Sequence, residues 1–337
     1  LVAGSVFKLY VDGKAGFFGP MRAAHGYARV HHISGEGRYL AVIVNHPGIR
    51  TFCWLREDPY FACTVTSGDR TWTTDDFSAY ALPERTREVL RYAYQRAFSE
   101  VYRLNGSTSA FLSGKPLTAP LEKKQVPLPE LLECRTHAPV FKELFPRAGI
   151  ASGYIADTGS HEVPYQRYFD LVGKTLDGFG ADEVTDNQIA DYVAFLHTKQ
   201  PTATGLAYRM FAMDGSKTGF LNVKIHAPAG GTVYLAYEEL LDEKDGDAVL
   251  HPLRNETLNV VKWTLEGGGD YELSTFEPYT AQYAEVVFPV GAEVSFSVTE
   301  YVNPDAGNLH FHCEDEDINR IVEAARESFR SNAVDLL

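Results

Sequence analysis

Between residues 205 and 303 apolar and polar positions alternate with a period of two in six strand-length runs: 219–226, 232–238, 258–265, 271–276, 281–288 and 293–299. Successive side chains of a strand point to opposite faces, so these runs predict sheet with one face turned to a core. Val, Tyr, Phe, Thr and Leu dominate them, and turn residues separate them: Pro228 to Gly231, Asp245-Gly246, Gly267 to Asp270, and Pro289 to Gly291. Residues 201–305 therefore read as an all-β sandwich of jelly-roll type. Residues 1–80 read as a similar sandwich. Short strands are expected at 6–11, which ends at the hairpin signal Asp12-Gly13, and at 39–44, 51–55, 60–65 and 70–73.

After Asp315 the period becomes helical. Ile318, Val322, Ala325, Phe329 and Ala333 recur at three- and four-residue spacing and make one apolar stripe, with charged residues around it. Asp315 is the expected N-cap, Glu316 and Asp317 suit the positive end of the helix dipole, and Glu316–Arg320 is an i,i+4 pair. Such a stripe needs a surface to cover it. Residues 306–337 are accordingly expected to be a linker and the first helix of an α-helical domain absent from this chain, with the sandwiches as that domain's β-rich forepart. The segment 81–200 is least regular. A helix is expected over 85–102, from Val89, Tyr92, Ala93, Phe98 and Val101, although an extended course fits the same residues. Exposed connection is expected at 105–109 and 116–129, edge strands within 149–198, and a short acidic turn or helix at 181–189. The fold class is thus mainly β: two jelly-roll-type β-sandwich domains, an irregular connecting region expected to complete them, and a C-terminal helix.

Composition narrows the partners. A formal net charge of −14 over 337 residues, with no basic cluster, repels phosphate backbones and excludes nucleic acid. No apolar run approaches the roughly 20 residues that cross a bilayer, so no membrane partner is expected. The first residues read as a strand under way, without the charged start and cleavage site of a leader. Twenty Phe, nineteen Tyr and three Trp suit sheet packing and, secondarily, stacking on sugars. The four cysteines lack C-x-x-C spacing. Cys53 and Cys63 flank Asp58 symmetrically, so a hairpin there would set them opposite each other, as a disulfide or as two reduced thiols.

Candidate chemistry is sparse. Glycoside hydrolysis needs two facing carboxyl groups about 5–9.5 Å apart, whereas Glu238 and Glu239 are strand neighbours on opposite faces. Asp242, Asp245 and Asp247 lack the ligand order of a calcium loop and fit a solvated hairpin tip. His310 and His312 could hold zinc with Cys313 or Asp305, or serve as polar residues at a domain junction; the second reading is adopted. No nucleophile elbow, P-loop, dinucleotide fingerprint or zinc-protease motif is present, so no catalytic residue, metal site or cofactor is assigned. Arg22, His25 and Tyr27 share the loop after Gly19-Pro20, and with Trp54 they are the candidates for holding a sugar; pinning that loop to its own sheet is the competing role.

The second sandwich and the helix resemble the bacterial α-L-rhamnosidases of glycoside hydrolase family 78. The resemblance is carried by Asp214 to Phe220, Tyr237 to Leu240 with Asp245-Gly246, Val260 to Leu265, Phe276 to Tyr279, Tyr283 to Val286 and Asn332 to Asp335. The first module resembles that family's amino-terminal sandwich through Leu9 to Gly13, Gly19 to Tyr27 and Tyr92 to Phe98. Gln282 departs from the pattern, standing where the family usually has arginine. The resemblance implies a catalytic (α/α)6 barrel in cis that carries the acid and base of an inverting hydrolysis of terminal α-L-rhamnosides, without cofactor. The barrel's acidic motif would fall after Leu337, so no catalytic residue transfers to this chain. The implied partners are a rhamnose-containing glycan, through the parent enzyme, and the barrel itself. The rival reading is a free-standing carbohydrate-binding protein using Arg22, His25, Tyr27 or Trp54; a structural adhesin is a third, disfavoured by the uncovered helix.

Overall fold

A computed structural model describes residues 1–4, 6–19, 27–51, 59–93, 95–105, 119–125, 128, 130–133, 141–156, 184–186, 195–244, 247–254 and 257–333. The N-terminal strands are β1 (Val2–Ala3), β2 (Val6–Val11), β3 (Lys14–Gly19), β4 (Tyr27–Val30), β5 (Leu40–Asn45), β6 (Phe61–Ala62), β7 (Thr64–Ser67) and β8 (Arg70–Thr73). At the centre lies β2, antiparallel to β3 on one side and β5 on the other. The β2–β3 turn is the expected Asp12-Gly13, with φ of 48° and 80°, the positive pair that a twist-matched two-residue hairpin requires. The Asp12 carboxylate accepts from the amides of Arg38 and Tyr39 at 3.0 and 2.9 Å, which ties the start of β5 to the turn.

Both faces of β2 are buried. Phe7 and Leu9 pack with Phe17 on one side, while Val6 and Phe18 point the other way into Phe220, Phe276 and Tyr301 of the second module. Tyr301 also donates its hydroxyl to the Phe18 carbonyl at 2.7 Å. Burying one such side chain contributes about 1.5–3 kcal/mol, so this aromatic seam packs the β2–β3 hairpin against the segments that carry Phe220, Phe276 and Tyr301.

The intermediate strands are β9 (Val101–Leu104), β10 (Glu130–Glu133), β11 (Glu143–Leu144), β12 (Ala148–Ile155) and β13 (His197–Thr198). The second module adds β14 (Leu206–Ala227), β15 (Gly231–Glu238), β16 (Asp242–Lys244), β17 (Asp247–Val249), β18 (Val260–Leu265), β19 (Gly269–Ser274), β20 (Tyr279–Pro289) and β21 (Glu293–Glu300). Strand β14 organises it. Its first half pairs with β12 and β20, and its second with β19, β21 and the start of β20. The halves join at Asp214-Gly215, where Gly215 has φ +76° and the register to β20 jumps from Ala212 to Lys217. The sheet therefore folds over itself and encloses Phe211, Leu221, Val223, Leu235, Trp263 and Phe296. Gly219 lets β21 approach, because a Cβ there would collide with the Thr299 backbone.

Of the intermediate strands, β9 runs parallel to β18, β11 pairs with β21 and β12 with β14, whereas β10 runs parallel to β4 in a separate two-stranded sheet. The helix expected over 85–102 is not formed. The segment instead doubles back in extended form, with Thr86 bonded to Val101, Ser99 to Leu90 and Tyr92 to Ala97 through backbone N–H···O contacts of 2.7–2.9 Å. Val89, Leu90, Arg91 and Ala93 are all buried, more than one helical face could bury, so tertiary packing overrides helical spacing.

Helix α1 (Glu316–Asn332) begins where expected, with the Asp315 carboxylate accepting from the amides of Asp317 and Ile318 at 2.9 and 3.3 Å. Arg320 pairs with Asp317, one turn back, instead of with Glu316. Among the described residues no helix is long and apolar enough to cross a membrane. Cys63 and Cys313 are free thiols, while Cys53, most of the strand expected at 51–55 and Asp58 lie outside the described residues, as do most of the segments 105–109 and 181–189 and part of 116–129.

Candidate functional site

The end of β21, the linker and α1 form one surface. Glu300, buried at the strand's end, receives both guanidinium nitrogens of Arg330 at 2.8 and 2.7 Å. Asn303 donates its backbone amide to the Arg330 carbonyl at 2.9 Å and its side-chain amide to the Ala333 carbonyl at 2.7 Å, which satisfies orphan groups of the helix C-terminus. At the other end Asn319 and Cys313 exchange two hydrogen bonds of 2.8 and 2.9 Å, folding the linker onto the first turns. The helix is therefore held at both ends by polar contacts.

Its apolar side is left open. No residue of α1 is buried, and Ile318, Ile321 and Phe329 are 45%, 67% and 52% exposed. Leu309 and Phe311 of the linker stand half-exposed beside them. Two shallow clefts flank Arg326, one bounded by Val302, Pro304 and Arg330, the other by Leu309, Phe311 and Val322. A patch of this kind, rimmed by charged side chains, marks an interaction surface. The sequence stripe contained Ile318, Val322 and Phe329, but missed Ile321, the most exposed, and the linker's Leu309 and Phe311, whose signal is only local hydrophobicity.

The sugar-site candidates are placed in part. Tyr27 opens β4 opposite Glu130 of β10 with its ring partly exposed, whereas Arg22, His25 and Trp54 lie outside the described residues. His310 and His312 are exposed in the linker, and among the described residues no group of three His, Cys, Asp or Glu is arranged to hold a metal.

The buried carboxylates are engaged by internal partners. Glu277 pairs with Arg96, Glu238 with Arg254 at 2.6 Å, Asp186 with Lys262 at 2.8 Å, and Glu285 with His197 at 3.2 Å. Glu100 is the most connected: it accepts from the amides of Phe276 (2.7 Å) and Glu277 (3.0 Å) and from the hydroxyls of Tyr102 (2.5 Å) and Tyr279 (2.9 Å). Burial first, and the Glu100 charge second, push both hydroxyls well above the ordinary tyrosine range, so they remain donors. An acid–base pair for glycoside hydrolysis needs carboxyl groups free to meet substrate and water, and these are held by internal partners instead.

A β-rich body that presents an uncovered amphipathic helix beside its last strand is the class of protein the fold and the surface define. No protein-family model matches the chain, and no curated protein does. Among solved structures it is similar to the GH78 family rhamnosidase of Bacillus sp. GL1, with a TM-score of 0.69 and 13% identity, over 93% of this chain and 52% of that one. It is also similar to the alpha-L-rhamnosidase from Dictyoglumus thermophilum, with a TM-score of 0.51 and 13% identity, over 95% of this chain and 32% of that one. The chain thus spans about half the length of the first and about a third of the second, and at this identity the likeness is one of fold.

Proposed function

We propose that the chain is the non-catalytic β-sandwich forepart of an α-L-rhamnosidase-like glycoside hydrolase, organised as an N-terminal module (1–80), a connecting region (81–200), a second sandwich (201–305), and a linker with the first helix of a catalytic barrel (306–337). The parent reaction is the inverting hydrolysis of terminal α-L-rhamnosides. The observation that carries this reading is the fold match to the GH78 rhamnosidase, which takes in nearly the whole of this chain but only about half of that enzyme. The exposed face of α1 supports it, since a barrel in cis would bury Ile318, Ile321 and Phe329. The sandwiches hold the helix in position through Glu300 and Asn303 and shape the approach of the glycan. An aryl α-L-rhamnoside incubated with residues 1–337 should give no turnover above buffer. Robust hydrolysis by these residues would overturn the reading. Glycan contact by the forepart itself rests on Arg22, His25, Tyr27 and Trp54; isothermal titration with rhamnose-containing oligosaccharides should show binding that Tyr27→Ala or Trp54→Ala removes, and no heat would leave scaffolding as the sole role.

A further inference from the structure

Lysine 8 is an anomaly in the seam between the two modules. It lies on β2 between Phe7 and Leu9, on the face that carries Val6 into the second module, and it is 2% exposed. Its ammonium donates to the Thr275 carbonyl at 3.2 Å and sits 3.5 Å from the centre of the Phe220 ring and 5.6 Å from that of Tyr10. Among the described residues no carboxylate comes within ion-pair distance of it. A lysine fully removed from water is retained as a cation only with strong compensation, and one carbonyl with aromatic faces offers little.

We propose that Lys8 is a pH-sensitive latch: its ammonium loosens the seam between the N-terminal sheet and the second module, and loss of its proton tightens it. The surroundings support this from every side. Phe220 and Thr275 carry no charge. Tyr10, on Lys8's own strand, has its hydroxyl pushed up by burial first and by Glu100 second, so it stays neutral. The doubled-back arm supplies Glu100, whose charge favours the ammonium but whose oxygens are already occupied by Phe276, Glu277, Tyr102 and Tyr279. Arg85 and Arg96, half-buried in the same arm, add positive charge, Arg85 near Glu100 and Glu277 and Arg96 near Glu277. Burial outweighs the attraction of Glu100 and brings the Lys8 amine down from 10.5 to about 7.

The sign follows from linkage. Below pH 7 the amine is protonated with the seam closed or open, and the two states respond alike. Between pH 7 and about 10 only the open seam holds the extra proton, so closure gains up to tenfold per pH unit.

Two measurements test this. Hydrogen-exchange protection of the β2 and β3 amides, corrected for intrinsic exchange, should rise with pH from 7 to 10 in the parent chain, relative to the same strands in Lys8→Met. A parent-to-variant ratio constant across that range would overturn the latch. If Lys8→Met does not fold, NMR of the parent chain labelled with [13Cε]lysine still decides. One lysine resonance titrating near neutrality is expected, and titration of every lysine near 10 would overturn the proposal. Failure here leaves the rhamnosidase reading untouched, because the latch concerns the seam and not the exposed helix.

Discussion

Glu100 shows how much of the molecule's cohesion rests on single buried side chains. It leaves a strand arm and reaches backbone amides and a tyrosine hydroxyl 176–179 residues further along the chain. Removing it strands two amides and two hydroxyls away from water, so Glu100→Ala should cost about 3–5 kcal/mol, read as a lower urea midpoint. A loss below 1 kcal/mol would mean that water replaces the carboxylate. No pattern in the sequence marks this residue, because its partners are distant and strand alternation says nothing about them. Lys8 was equally hidden: in Val6-Phe-Lys-Leu-Tyr-Val11 it resembles the solvent-facing position of an edge strand, yet that face is covered by the second module. Asp12-Gly13 and Asp315 were legible, since a hairpin turn and a helix cap are decided by the few residues around them.

At the level of elements, local signals succeeded where one face of an element meets one core. The strands of the second module fall close to the expected runs, apart from β14. Its first half lies outside the expected run 219–226, because Asp214-Gly215 bends one long strand from layer to layer. The arm over 85–102 was misread because burial on all sides destroys the periodicity that separates helix from strand. Helix α1 was legible in extent, but its anchorage was not. Arg330→Met would leave Glu300 buried without its fork, and α1 should detach from β21 at a cost of about 3 kcal/mol. Hydrogen exchange would then show amides 316–333 losing protection while β14 and β20 keep theirs; unchanged protection of α1 would assign its anchorage to Asn303 and the linker instead.

For the whole molecule, the aromatic seam, the folded sheet and the polar clamps on α1 make a platform that leaves a helix face and its linker exposed among the described residues. The resemblance read from short motifs concerned this arrangement, and the solved structures similar in fold agree with it over nearly the full chain. What such motifs could not reveal is the packing between modules, which depends on Phe18, Phe220, Phe276 and Tyr301 meeting from opposite ends of the chain. The central claim is that α1 presents its apolar face to a helical domain that follows it. Side-chain oxidative footprinting of Ile318, Ile321 and Phe329, read by mass spectrometry in residues 1–337 and in a chain extended through the following reading frame, tests it most directly. The account predicts rapid modification in the first and, in the second, protection equal to that of Val223 and Leu235 in the core; equal, rapid modification in both would contradict it.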